Sequence, residues 1–257
     1  MFIDSHCHLD FPEYEGKISE LLSNMEQASV THALCISVDI PDFPGVLSLA
    51  MQNENLYASV GVHPDYEDTP EPTIEWLIEN ANNPKVIAIG ETGLDYFRLN
   101  GRSIEEMEWQ RDRFRTHIRA AIKVGKPLII HTRNASEDTL RIMQEEGAST
   151  VGGVMHCFTE SLDVAQRAIE LGFYISFSGI VTFKNAVELH ETCLAVPLEK
   201  MLIETDSPYL APVPFRGKTN QPAWVRNVAE FIANLKGISL ETVGQVTSKN
   251  FHDLFKV

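Results

Sequence analysis

Short apolar segments recur along this chain roughly every 28 residues, and this regular spacing is the feature that most restricts its fold. The segments that we interpret as strands are 2–8, 33–38, 56–62, 86–91, 127–131, 152–158, 174–178 and 201–206. Amphipathic patterns of helical period lie between them, for example Ile18, Leu21, Leu22 and Met25. Strict alternation of strands and helices predicts a parallel sheet covered by helices. Eight such units favour a closed α/β barrel over an open doubly wound sheet, and no GxGxxG motif supports the open alternative.

Length and composition are consistent with one such barrel and with a location in the cytoplasm. The chain has 257 residues, and a (β/α)8 TIM barrel needs about 250. Because no linker, repeat or low-complexity tract divides the sequence, we expect a single domain over residues 1–257. The first predicted strand begins at Phe2, which leaves no room for a signal peptide, and no apolar run is long enough to span a membrane. Four cysteines without CxxC spacing are expected to be free thiols in a reducing cytoplasm.

The formal net charge of −15 restricts how the protein could meet nucleic acid. A protein that coats a duplex by neutralising phosphates should be basic, and this chain is acidic. A nucleic-acid substrate would therefore have to be held locally, by metal ions and a few well-placed cationic side chains. The acidity is otherwise that of an ordinary solvated surface.

Six potential metal ligands stand at the carboxyl ends of the predicted strands. They are His6, His8, Glu91, His131, His156 and Asp206. In TIM barrels the chemistry takes place at this end of the strands. Imidazole nitrogens and carboxylate oxygens bind divalent cations directly, so the pattern predicts a site for one or two such ions.

The spacing of these residues indicates how they could share the ions. His6 and His8 are two apart on a strand and therefore face the same side. Strand eight adjoins strand one in a closed barrel, which places Asp206 near both histidines. Glu204 lies two residues before Asp206 and therefore deeper in the barrel. We interpret it either as a residue that orients a metal ligand or as an ordinary ion-pair partner.

Glu91 and the histidines of strands five and six predict a second position. A carboxylate has two oxygens and can bridge two cations, which makes Glu91 the natural bridge. His131 and His156 would complete the second site beside it. A lone histidine at a strand end is usually structural, but several at equivalent ends favour metal binding.

Three further side chains are candidates for holding an anionic substrate. His63 follows the third predicted strand, at the same end of the barrel, and could contact a phosphate or a carbonyl. Its alternative is a loop histidine that is hydrogen-bonded to the backbone. Arg133 and Arg216 are the best-placed cations, with a solvated surface position as the alternative for each.

The motifs together resemble the TatD family of metal-dependent deoxyribonucleases, within the amidohydrolase-like superfamily of TIM barrels. The segments that carry the resemblance occur in the order DSHCHLD, GVHP, IGETGLDY, IIHTR, MHCF, ETDSPYLAP and RGKTNQP. The resemblance extends from Phe2 to about Phe255. It implies a first metal bound by His6, His8, Glu91 and Asp206, and a second bound by Glu91, His131 and His156.

The resulting functional hypothesis is a hydrolase that uses two divalent cations, Mg2+, Mn2+ or Zn2+, to activate water. Glu91 and Asp206 are the expected catalytic side chains. Family resemblance favours 3′–5′ exonuclease action on single-stranded DNA ends, with no obligate protein partner evident. The alternative enzyme uses the same ions on ester or amide bonds, for example in D-aminoacyl-tRNA or a small molecule. A metal-dependent binding module without turnover is the third possibility.

Overall fold

The computed structural model describes all residues from Met1 to Val257 and is built on one eight-stranded parallel sheet. The strands are β1 (Phe2–Cys7), β2 (Val30–Cys35), β3 (Leu56–Val60), β4 (Val86–Asp95), β5 (Leu128–Arg133), β6 (Gly153–Met155), β7 (Phe173–Phe177) and β8 (Met201–Ile203). They pair in chain order. The chain after β8 returns to β1, where Asp206 N donates to His6 O over 2.9 Å and His8 N donates to Ser207 O over 2.8 Å. The predicted (β/α)8 TIM barrel is therefore confirmed.

Nine α-helices surround the barrel or close its amino-terminal end. They are α1 (Ile18–Gln27), α2 (Phe43–Gln52), α3 (Ile74–Ala81), α4 (Glu108–Val124), α5 (Ser136–Glu145), α6 (Leu162–Glu170), α7 (Val187–Ala195), α8 (Val225–Lys236) and α9 (Leu240–Phe255). Local signals set several boundaries: the Ser161 side chain caps α6, and α8 ends at Gly237 with φ of 66°. None of these helices has both the length and the apolar character that crossing a membrane requires.

The apolar core has two layers, and their arrangement leaves one end of the barrel for polar residues. The larger layer lies between the sheet and the helices. The smaller layer includes Ile3, Ile87 and Leu202 and is joined by Phe251 and Phe255 of α9. All four cysteines are unpaired. Apolar side chains from α9 thus pack into the smaller layer, whereas the predicted ligands lie at the carboxyl ends of the strands.

Strand β4 is longer than the sequence pattern predicts. It continues past Glu91 to Asp95 because its last residues pair with β5, including Gly93 with His131 and Asp95 with Arg133. Gly93 has φ of 131°, and a Cβ atom there would lie 1.9 Å from His131 O. Only glycine permits this close approach. The extension brings Asp95 into the same end of the barrel as Glu91.

Strand β8 is shorter than predicted and ends at Ile203. Asp206 has φ of 54°, in the left-handed region, so the chain has already left the extended conformation there. The predicted second strand is also displaced: β2 runs from Val30 to Cys35 rather than over 33–38. These shifts move strand limits but not the end of the barrel at which the candidate ligands lie.

Candidate metal centre

A cleft of about 700 Å³ opens at the carboxyl ends of the strands. Five of the six predicted metal ligands line it, and His6 is buried behind them. The ligands in the lining are His8, Glu91, His131, His156 and Asp206. Aromatic, aliphatic and cationic side chains form its walls, among them Phe11, Tyr66, Arg133, Ile180 and Tyr209. The predicted ligands therefore lie together, although they come from five different strands or strand ends.

Three ligand atoms lie within 3.6 Å of His6 Nε2 and form with it what we call the first cluster: His8 Nε2, Glu91 Oε2 and Asp206 Oδ1. His6 Nε2 lies 3.3 Å from His8 Nε2, 3.3 Å from Glu91 Oε2 and 3.6 Å from Asp206 Oδ1. His8 Nε2 lies 3.4 Å from Asp206 Oδ1. Ligand atoms about 2.1 Å from a tetrahedral ion are about 3.4 Å apart. His6, His8 and Glu91 thus have the mutual spacing of ligands to one cation, and Asp206 Oδ1 lies within ligand spacing of both histidines.

The other oxygen of Glu91 faces three imidazoles, which form the second cluster. His131 Nδ1 is 3.2 Å, His63 Nε2 is 3.4 Å and His156 Nε2 is 2.7 Å from Glu91 Oε1. His63 Nε2 and His131 Nδ1 are 3.3 Å apart, so these two nitrogens and Glu91 Oε1 again have the spacing of cation ligands. His63, predicted to contact substrate, therefore lies as close to Glu91 as the predicted ligands do.

The surroundings of His156 provide a separate indication that a cation fits this site. Its contact with Glu91 lacks the alignment of a hydrogen bond, and Nε2 is a buried nitrogen without a hydrogen-bond partner. Its ring stacks on that of His6 with centroids 3.9 Å apart. A buried imidazole nitrogen that faces a carboxylate without a hydrogen bond is expected where both groups are metal ligands. The side chains present therefore fit divalent cations.

Electrostatics keeps the two carboxylates ionised. Burial alone would raise the pKa of Glu91, but His156, His63 and His6 outweigh it and hold the pKa well below its ordinary value. Burial likewise opposes ionisation of Asp206, yet its hydrogen bond with His8 and the nearby histidines lower its pKa. Ionised carboxylates are the form that binds cations.

The surroundings of the histidines shift their pKa values in different directions. Burial lowers the pKa of His63 to about 3, so its ring is neutral near pH 7. Burial and the neighbouring His156 also lower the pKa of His6. Burial acts in the same direction on His131 and His156, but carboxylates around them raise both pKa values. Four imidazoles around a few carboxylates thus form a region that attracts either protons or metal cations.

Asp95 fixes the orientation of His131. Its Oδ2 lies 3.1 Å from His131 Nε2, which directs the other nitrogen, Nδ1, towards Glu91. Its Oδ1 accepts a hydrogen bond of 2.8 Å from Phe97 N, and its backbone N donates to Gln110 Oε1 over 2.9 Å. Asp95 is only 3% exposed. A carboxylate behind a metal-binding histidine sets the tautomer and direction of the ring.

Asp95 is not among the predicted site residues, because the sequence pattern predicts that the fourth strand ends at Glu91. A signal was present: Glu91, Gly93 and Asp95 are spaced by two residues, and alternate residues of a strand share a face. The longer strand would have placed both carboxylates on the side that carries the ligands.

Glu204 lies behind His156 in a similar way. Its Oε1 is 3.3 Å from His156 Nδ1 and accepts a hydrogen bond of 2.8 Å from Cys157 N. The side chain is fully buried, and Oε2 has no hydrogen-bond partner. This position agrees with the predicted orienting role, which stays a prediction.

The two predicted arginines lie in different surroundings. Arg133 lines the cleft, with its guanidinium 3.6 Å from the centroid of the Phe97 ring. Arg216 lies over the ring of Phe183, 4.0 Å from its centroid, and is not among the residues that line the cleft. The structure thus brings Arg133 into the lining of the cleft and leaves Arg216 outside it.

Comparison with known proteins agrees with this geometry. The sequence profile of the family described as TatD related DNase matches residues 3–256. The uncharacterized metal-dependent hydrolase YcfH of Escherichia coli K12 is 44% identical over 258 residues, covering 99% of this chain and 96% of the relative. The uncharacterized metal-dependent hydrolase YabD of Bacillus subtilis is 40% identical over 258 residues, covering all of both chains. The crystal structure of YjjV, a TatD homolog from E. coli K12, superimposes with a TM-score of 0.92 at 29% identity, covering 100% of this chain and 98% of the other.

Proposed function

The chain belongs to the TatD family of metal-dependent hydrolases, and from this premise we propose that it removes nucleotides from the 3′ ends of single-stranded DNA. The observation that carries the proposal is the position of Glu91, whose two oxygens face two separate clusters of ligand atoms. Phosphodiester hydrolysis develops negative charge on both the attacking and the leaving oxygen, and paired cations suit that distribution. The family description as a DNase supports DNA as the substrate.

Two divalent cations would occupy the clusters, with Glu91 shared between them. His6, His8 and Asp206 would hold the first, and His131 and His156 the second. Mixed imidazole and carboxylate donors suit Mn2+ or Zn2+, and phosphate chemistry also suits Mg2+. When bound, the cations would acidify a water molecule and neutralise negative charge on the phosphate.

The chain's own side chains would place the substrate and move the proton. Asp206 is ionised, its side chain is partly exposed to the cleft, and it would accept the proton of the attacking water. His63, neutral near pH 7, and Arg133 would contact the non-bridging phosphate oxygens. Because Arg133 forms a cation–π contact and no ion pair, its charge is available to a phosphate.

The acidic surface supports a strand end as the substrate. A net charge of −15 repels a polyanion at long range, so little affinity can come from wrapping a duplex. Capture of one terminus in a cleft with metal ions and one free arginine needs only local attraction.

A gel assay would test this function directly. A 5′-labelled single-stranded oligonucleotide would be incubated with protein reconstituted with Mg2+, Mn2+ or Zn2+, beside the same sequence as a blunt duplex. We expect a descending ladder from the single strand, its loss with excess chelator, and a reduction of at least about 100-fold in Glu91→Gln, because both clusters lose a charged ligand.

The alternative chemistry is an outcome of the same experiment. Metal content would be measured for every sample, so that inactivity cannot be caused by missing ions. If metal-loaded wild type leaves DNA intact but hydrolyses ester or amide bonds, including D-aminoacyl-tRNA, the nuclease proposal is wrong.

A further inference from the structure

An exposed aromatic ring stands beside the metal centre on a firmly held backbone. Tyr209 is 52% exposed and lines the cleft three residues after Asp206. Its N donates to Asp206 O over 3.0 Å, and its carbonyl accepts a hydrogen bond of 2.6 Å from Asn220 Nδ2. Asn220 is fully buried and also donates to Thr205 O. The backbone is therefore fixed while the ring faces solvent.

The residues after Tyr209 are held equally closely. Leu210 O packs against Gly179, where a Cβ atom would lie 1.9 Å from it. Val213 N donates to Thr182 Oγ1 over 2.9 Å. This loop is thus fixed at both sides of the ring, which presents Tyr209 in one place. A large exposed ring in a fixed position at a cleft is typical of a binding surface rather than of a random surface residue.

Phe11 adds a second ring at a steep angle to the first. It stacks on the imidazole of His8, with centroids 4.7 Å apart and planes 19° apart. Its centroid is 6.1 Å from that of Tyr209, with the planes at 70°. The two rings form a step, which we call the aromatic step, and its inner corner adjoins the His8 side of the first cluster.

The opposite wall of the cleft is cationic. Arg133 ends β5, whereas Phe11 follows β1 and Tyr209 follows β8. Strands β1 and β8 adjoin each other, and β5 lies across the barrel from them. The cleft therefore presents flat apolar surface on one side of the metal clusters and a free positive charge on the other.

We propose that the aromatic step binds a nucleobase of the nucleotides that flank the scissile phosphodiester. This inference rests on the proposed nuclease function and adds a base-binding subsite to it. A nucleotide consists of a flat base and an anionic phosphate, and the two walls match these parts. Every base has a π face, so stacking on Tyr209 gives affinity without sequence preference.

The test pairs a change in the protein with a change in the DNA. Wild type, Tyr209→Ala and Tyr209→Phe would be assayed on an intact single strand and on two strands with an abasic site on either side of the terminal phosphodiester. Stacking of one base is worth about 5- to 150-fold in affinity. We expect Tyr209→Ala to raise KM for the intact strand by that factor with little change in kcat, and Tyr209→Phe to behave as wild type.

The abasic strands identify the contact. One of them should raise KM in wild type by a similar factor but have little further effect in Tyr209→Ala. Tyr174→Ala, which removes a tyrosine ring from the start of β7 at the other end of the barrel, controls for aromatic truncation and should match wild type.

Two results would overturn the inference while the nuclease function stands. In the first, wild type cleaves DNA, but the abasic strands affect wild type and Tyr209→Ala equally. In the second, Tyr209→Phe is as impaired as Tyr209→Ala, which assigns the effect to the hydroxyl. If metal-loaded wild type cleaves no DNA, both the proposed function and the subsite are wrong.

Discussion

Replacing Asp95 by asparagine should weaken cation binding at the second cluster while leaving the first unchanged. The two oxygens of Asp95 serve different donors, Phe97 N over 2.8 Å and His131 Nε2 over 3.1 Å. Asparagine has nearly the same shape but only one acceptor oxygen. One donor must therefore face an NH2 group. If that donor is His131 Nε2, the ring proton moves to Nδ1, the nitrogen that faces Glu91.

The expected magnitude follows from this loss of one acceptor. Removing the outer hydrogen-bond partner of a metal-binding histidine costs about 10- to 100-fold in metal affinity, or about 1.4 to 2.7 kcal/mol. The net contribution of a hydrogen bond to a charged group is about 1.5 to 3 kcal/mol, which agrees with the loss in metal-binding free energy expected here. Because Asp95 is buried, solvent offers His131 little replacement.

Calorimetric titration of the metal-free protein with Mn2+ would measure the effect. Wild type should bind two ions, and Asp95→Asn should bind one as wild type does and the other 10- to 100-fold more weakly. Long-range 1H–15N correlation spectra would report the His131 tautomer independently of activity. Asp138→Asn is the matched control, since Asp138 is hydrogen-bonded to Tyr96 rather than to a histidine. A folded Asp95→Asn protein with two unchanged binding events would refute the reasoning.

Three further predictions concern folding and substrate binding. Burial lowers the pKa of His117 to about 4, whereas the unfolded value is about 6.5. As the pH falls, the unfolded state therefore takes up the proton before the folded state does. The free energy of unfolding should decrease by about 2 kcal/mol between pH 8 and pH 5. Urea unfolding should show a smaller loss in His117→Gln. Gly93→Ala should prevent correct folding, because the new Cβ would overlap the backbone of β5. Gly45→Ala, in α2, is the control: its Cβ would meet no atom within 4 Å. Thermal unfolding should show that Gly45→Ala is tolerated or stabilises the protein by up to about 1 kcal/mol. Arg133→Gln should raise KM for DNA about tenfold and Arg216→Gln less than twofold; the reverse order would contradict the cleft geometry.

The predicted ligands come together because strand geometry alone determines much of their placement. In a closed barrel of parallel strands, all carboxyl ends meet at one mouth, and alternate residues share a face. His6 and His8 could therefore be assigned to one side of β1 without any knowledge of the loops. Asp206 follows from the adjacency of β8 and β1, which closure of the barrel requires.

Residues whose positions depend on strand length or loop path could not be predicted in this way. Asp95 depends on four additional residues of β4 that pair with β5. His63 approaches Glu91 through the loop after β3, where Arg113 Nη1 donates to its carbonyl. Arg216 lies in a long loop whose course places it over Phe183 instead of at the cleft. Sequence alternation carries no information about these paths.

The candidate metal ligands and the candidate substrate-binding residues of this barrel likewise depend on different parts of the fold. The candidate ligands lie on strands or within three residues of their ends, so the metal clusters depend on the sheet. The aromatic step depends on loops, since Phe11 follows β1 and Tyr209 is held by Asn220 from a distant part of the chain. A substitution in the aromatic step itself, such as Tyr209→Ala, should therefore impair substrate binding before it impairs cation binding. Related barrels can accordingly retain the metal clusters while changes in the loops alter which substrate bond is positioned at the cations.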